Sequence, residues 1–213
     1  MRRIFHLLPL LLALFCSAPM SAGQSYSRTF VDRLSFGVEW GYSQQFYVFN
    51  HYNIIGEEGS RINEATSGLS FYPNGMLMGR IGYDVTDNLN ISLLNGYSGM
   101  TSRQRMVPLL LRVYLAGHPL RDDGFFTFAD GGIAFKPGRR DVKQSTPALA
   151  DIGEGYRVRL TPFCSLDFML SFRALFDTPP VVNPEGPGFV PSANVRSSES
   201  RIYSMSLTVS VNF

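Results

Sequence analysis

Two histidines lie beyond the first 23 residues, and they are the natural places to look for chemistry. His51 sits in "FNHYNIIGEEG", with Glu57, Glu58 and Glu64 close in sequence. An imidazole beside carboxylates is the pattern of an acid–base group or of a weak metal site. His118 sits in "AGHPL", where glycine and proline mark a turn. The cysteines are Cys16 and Cys164, too few for a thiolate metal site. No cofactor is expected from these spacings. His51 is otherwise an exposed loop residue, and His51, Glu57, Glu58 and Glu154 are candidate partner contacts.

A second set of chemical residues is larger and more regular. Glu39, Asp84, Asp130, Asp151 and Asp167 alternate with small or apolar neighbours, as do Arg80, Arg112, Arg157, Arg159 and Arg173. Five charges of each sign suit a closed interior, where an unpaired charge is costly. Arginine and carboxylate form short, charge-assisted and often two-pronged hydrogen bonds. Their chemistry here is mutual neutralisation. Arg159 and Asp167 flank the turn "TPFC" at 161–164 and are expected to pair across it, contributing roughly 0.2–1 kcal/mol.

Such residues need strands to hold them, and the sequence supplies the period-2 pattern of strands repeatedly. "LSFGVEWGY" puts Leu34, Phe36, Val38, Trp40 and Tyr42 on one face. "GMLMGRIGYDV", "LNISLLNGYSG", "VPLLLRVYL", "FFTFADGGIAF", "ADIGEGYRVRL" and "SLDFMLSFRALF" repeat the theme. The chain ends on "RIYSMSLTVSVNF", where Tyr203, Met205, Leu207, Val209, Val211 and Phe213 alternate with small polar residues. Eight strands of about 9–12 residues match the length a tilted membrane-crossing strand needs. An even count lets an antiparallel meander close without a free edge. Connections alternate between short ones (86–88, 116–124, 161–164) and long ones (about 50–75, 99–106, 136–148, 177–198).

A soluble barrel or sandwich would turn the apolar face inward and carry Lys and Glu outside. Here the polar face is Gly-, Ser- and Asn-rich, its charges balance, and aromatic residues gather at strand ends. Tyr42, Tyr97, Phe135, Phe176 and Tyr203 lie toward the long connections; Tyr83, Phe125 and Phe213 lie toward the short ones. These are the girdles of a membrane barrel. The start, "MRRIFHLLPLLLALFCSAPMSAGQS", has the charged, apolar and small-residue regions of a secretory signal peptide, so residues 1–23 are expected to be removed and 24–213 to form one domain. Removing Arg2 and Arg3 leaves 17 basic and 17 acidic residues, which argues against a nucleic-acid partner.

The final strand closing on Phe213 resembles the terminal assembly signal of Gram-negative outer-membrane β-barrel proteins. The whole chain after the leader resembles the small OmpA/OmpX-type barrels. The resemblance implies an all-β fold: an eight-stranded antiparallel up-and-down transmembrane β-barrel, integral to the cell outer membrane, with both termini periplasmic. It implies contact with outer-membrane lipid and lipopolysaccharide, and with the barrel-assembly machinery during biogenesis. Some barrels of this size modify lipid A. However, His51 is followed by Tyr52 and Asn53, not by the His-x-Ser spacing of deacylase barrels. The segment 24–33 is short for the amphipathic helix of palmitoyltransferase barrels.

The expected role is therefore structural or interaction-based, including that of an accessory subunit of a larger outer-membrane protein complex. A lipid-A-modifying enzyme and a small passive channel are the alternatives. A lumen filled with charge opposes the channel. "KPGRRDVK" adds a basic cluster, Lys136, Arg139, Arg140 and Lys143, suited to lipid A phosphates or to solvent. Glu154 falls on the lipid face by parity; Gly153 and Gly155 are expected to form a bulge that turns it inward.

Overall fold

The computed structural model describes residues 30–56, 58–99, 105–137 and 145–213. The leader (1–23), Cys16, Glu57, Arg139, Arg140 and Lys143 lie outside the described residues. Eight strands pair antiparallel in chain order and close into a barrel: β1 (Leu34–Ile55), β2 (Arg61–Thr86), β3 (Leu89–Gly99), β4 (Arg105–Ala116), β5 (Gly124–Phe135), β6 (Ala148–Thr161), β7 (Cys164–Asp177) and β8 (Val195–Asn212). The β1–β8 seam is finished by reciprocal backbone bonds, Phe36 N–H to Phe213 O at 3.0 Å and Phe213 N–H to Phe36 O at 2.8 Å.

The alternation read from sequence sorts the side chains. Phe36, Val38, Trp40, Leu77, Ile81, Leu93, Leu111, Phe168, Leu170 and Leu207 are exposed on the outer wall, while Glu39, Arg80, Ser92, Arg112, Asp130 and Ser206 are buried inside.

The turns at one end are tight, spanning residues 87–88, 117–123 and 162–163. The opposite end is built differently from the expectation of four long connections. β1 and β2 stay paired to Ile55 and Arg61, so residues 50–75 form a β-hairpin and not a loop. Both ladders of β1 shift register between Gln45 and Tyr47. Beyond that shift β1 still pairs with β8, through Ile54 and Val195. β2 pairs with β3 only from Met76 onward. Among the described residues, the stretch 61–75 of β2 therefore has a strand partner on one side only and presents an open edge.

The lumen is packed in layers. Toward the hairpin end lie Met76, Met78, Leu94, Met106, Leu110, Ala134, Leu149, Leu175 and Ile202. Toward the turn end lie Tyr114, Ala116, Leu120, Phe126, Phe128 and Met169. Charged residues occupy the level between them and continue toward the turns. Sequence reading treated the inner face as polar; this apolar filling escaped it because a strand that is apolar on both faces shows no alternation.

Candidate functional sites in the lumen and on the hairpin

The ladders place one row of charges across four consecutive strands. Arg112 on β4 is opposite Asp130 on β5, which is opposite Asp151 on β6, which is opposite Arg173 on β7. Two carboxylates side by side repel. Each is gripped from its outer side. Arg112 donates from Nε and Nη2 to the two oxygens of Asp130 at 2.6 and 2.7 Å, and Arg173 donates from Nε and Nη2 to Asp151 at 2.9 and 2.7 Å. Arg112 also reaches over to β1, donating from Nη1 to Glu39 Oε1 at 2.6 Å. Its guanidinium lies 4.5 Å from the Phe128 ring centre, a cation–π contact in a buried site.

Further contacts cross the lumen, as Arg112–Glu39 does. Arg173 on β7 donates to Ser98 Oγ on β3 at 3.2 Å, and these strands face one another across the ring of eight. Arg112 on β4 approaches Met169 Sδ on β7 at 3.6 Å.

The partner of Asp167 is Arg157, directly opposite it, through paired bonds of 2.6 Å from Nε and Nη2. The expected Arg159–Asp167 pair does not form. The chain turns on only Pro162 and Phe163, with an irregularity between Arg159 and Thr161, so Arg159 is opposite Ser165. Arg159 is exposed at the rim, 3.9 Å from Asp122. Asp84 is half-buried near the same rim, accepts from Asn90 at 2.7 Å, and lies 3.7 Å from Arg121. Arg80 differs from the other buried arginines. Its Nη1 donates to Ser92 at 3.0 Å and its Nη2 to Asn212 at 2.6 Å, and no carboxylate among the described residues lies within 4.0 Å of it.

The expected bulge at Glu154 is absent. β6 pairs without a break from Ala148 to Arg159, so Glu154 is opposite Thr127 and Leu170, and is exposed on the outer wall. Gly153 and Gly155 have a different task. A Cβ on Gly153 would lie 2.6 Å from the Phe128 ring, and one on Gly155 would lie 2.4 Å from the Phe126 ring. The glycines are sockets for two inward phenylalanines, and register then dictates that Glu154 points out. Replacing Glu154 with leucine is expected to raise stability in phospholipid vesicles, on the order of 1 kcal/mol, because a lipid-facing charge is unfavourable. Urea unfolding in vesicles reads this directly; a variant less stable than wild type contradicts the assignment.

A second polar residue on the outer wall, Asn95, was not singled out from sequence. Its amide donates to Pro108 O at 3.0 Å. The β3–β4 ladder skips the stretch between Asn95–Leu109 and Ser98–Met106, as a proline in β4 requires. The side chain satisfies a carbonyl that the ladder leaves open.

On the hairpin, His51 Nε2 is 2.9 Å from Asn63 Oδ1, and Tyr52 donates its hydroxyl to Glu64. That bond raises the Tyr52 phenol above its ordinary value of 10.0. Glu58 is exposed at the hairpin tip. Glu64 is thus held by tyrosine and Glu58 faces solvent, and His51 is joined to neither. No group of three or more His, Cys, Asp or Glu suited to a metal ion occurs among the described residues. His118 braces its turn, with Nδ1 at 2.9 Å from Pro119 O and Nε2 at 3.0 Å from Phe125 O.

The outer wall carries aromatic contacts near both ends: Phe46–Phe172, Tyr47–Tyr203 and Phe172–Tyr203 toward the hairpin end, and Phe125–Tyr156 toward the turns. A closed sheet leaves no backbone group open to hydrocarbon, and an apolar wall with aromatic borders is the surface a bilayer solvates. Among solved structures, the outer membrane protein OprG from Pseudomonas aeruginosa aligns over 84% of this chain and 95% of its own, with a TM-score of 0.50 and 10% identity.

The chain has the fold of a small outer-membrane β-barrel.

The outer membrane protease OmpT from Escherichia coli also aligns, over 89% of this chain and 99% of its own, at a TM-score of 0.43 and 8% identity. A likeness at that level carries no argument. No protein-family model matches the sequence, and no curated protein matches it. The fold and the apolar wall agree on an integral protein of the outer membrane. The barrel's particular role must come from its own residues.

Proposed function

We propose that this outer-membrane barrel is a non-enzymatic structural or interaction protein that docks on a partner protein in the same membrane through the β1–β2 hairpin. The observation that carries this reading is the open edge of β2 along 61–75. On the side away from β1 its backbone groups have no ladder partner among the described residues, and its outward residues Leu69 and Phe71 are 74% and 72% exposed. Natural proteins cover or blunt such edges, and an edge left open is a template for strand addition. Pro73 interrupts it near the barrel, confining pairing to the distal part.

The turn end and both chain ends face the periplasm in this reading, the leader at 1–23 is removed on export, and residues 24–213 form the single barrel domain. Short turns inside and long elements outside are the usual outer-membrane asymmetry, which supports the orientation. The strand from Tyr203 through Met205, Leu207, Val209 and Val211 to Phe213 serves as the signal for the barrel-assembly machinery. The charge row and the contacts across the lumen support a closed barrel and not a channel.

The test is gentle extraction of tagged protein from native outer membranes, with a photo-crosslinking residue at position 69 or 71. A stoichiometric larger partner, crosslinked from those positions and lost with Leu69→Asp/Phe71→Asp, is the expected result. A lone particle of barrel-plus-detergent size, with no adduct from either position, overturns the reading.

A further inference from the structure

The turn end holds a cavity of about 290 Å³ whose lining includes Arg80, Arg121, Arg157, Tyr114, Asn90 and Asn212. Arg157 is already neutralised by Asp167, and Arg121 leans toward Asp84. Arg80 is 4% exposed and has no such partner. A guanidinium carries five N–H donors. Ser92 and Asn212 accept from two of those on Arg80, and its Nε is buried without any acceptor. The Tyr114 ring, 5.2 Å from the guanidinium carbon, closes the inner side. The other three lumen arginines each make at least one two-pronged grip on a carboxylate, Arg157 in the same cavity among them, so the omission is specific to Arg80.

A buried cation with spare donors, reachable from a polar cavity, calls for an oxyanion. We propose that the turn-end cavity is a binding site for a small oxyanion, a carboxylate or a phosphate, held by Arg80 with Arg121 as the outer cation. The anion enters from the turn end and completes the donor set of Arg80. Asp84 and Asp32 on the lining favour a small, singly or doubly charged ligand over a polyanion, because they repel additional negative charge. Asn90 orders the mouth: its amide donates to Asp84 at 2.7 Å and to Ser35 at 3.3 Å, holding the acid beside Arg121 and away from Arg80.

The test uses the full barrel refolded in detergent micelles and titrated calorimetrically at constant ionic strength, with acetate in one arm and inorganic phosphate in the other. Saturable binding to one site is expected in at least one arm; the arm that saturates identifies planar or tetrahedral oxyanion chemistry. Arg80→Met is expected to weaken binding about tenfold or more, the loss typical of a charged hydrogen-bond donor. Arg121→Ala, at an exposed position that the fold does not need, weakens it by a smaller factor and serves if Arg80→Met fails to fold. No saturable heat in either arm overturns the proposal. So does binding that both variants leave unchanged.

Discussion

Arg112→Met is expected to destabilise the barrel by about 3–5 kcal/mol, the cost of leaving buried carboxylates without their counter-ion. One guanidinium serves two acids from two strands, Asp130 beside it and Glu39 on β1. Methionine matches much of the volume, so the loss reports charge and not a cavity. The same reasoning predicts the rescue. Glu39→Gln and Asp130→Asn added to Arg112→Met should recover most of the stability, because the stranded charges are then gone. Urea unfolding in vesicles, or the temperature at which the folded band shifts on a denaturing gel, measures both steps. A single variant as stable as wild type would show that the charge row does not hold the barrel together.

Phe128→Ala is expected to cost about 3–5 kcal/mol as well, by a different mechanism. The ring fills the socket left by Gly153 and covers the Arg112 guanidinium. Gly153→Val alone overpacks the same place, with a Cβ also 2.4 Å from Leu170 O, and should cost about 1–3 kcal/mol. The two changes share one space, so the double variant should lose less than the sum of the singles. Strict additivity in the same unfolding assay would contradict the socket.

Much of the barrel is legible in sequence because lipid and lumen impose opposite chemistry on alternate residues. The final strand, read at Tyr203 to Phe213, and the first, read at Leu34 to Tyr42, declare their outer faces plainly. Legibility fails where that contrast fails. Residues 50–75 read as a loop because no alternation marks them as strand: Ile54 and Ile55 are adjacent, and 63–68 carry no large apolar residue. Residue types alone point Asp167 to Arg159; a two-residue turn and a ladder irregularity, which residue types do not reveal, shift the register to Arg157. The glycines flanking Glu154 suggest a bulge that the continuous ladders do not contain. Those glycines are explained by Phe128 and Phe126, which lie well upstream in sequence and meet them only across a ladder. The lone state of Arg80 is likewise a matter of distance: by count, the interior charges had looked evenly matched.

The unequal heights of the strands bear on the membrane itself. On the β8–β1–β2 side, outward Tyr47, Phe49, Leu69 and Phe71 carry the apolar wall past the level at which β3 ends. A wall that is taller on one side cannot match a bilayer of uniform thickness. Lipid must thicken there or the barrel axis must tilt, each at a modest cost per ångström. Neighbours with a matching tall wall relieve that mismatch by standing alongside, so the surrounding lipid itself would steer such a neighbour toward the hairpin before any backbone bond forms.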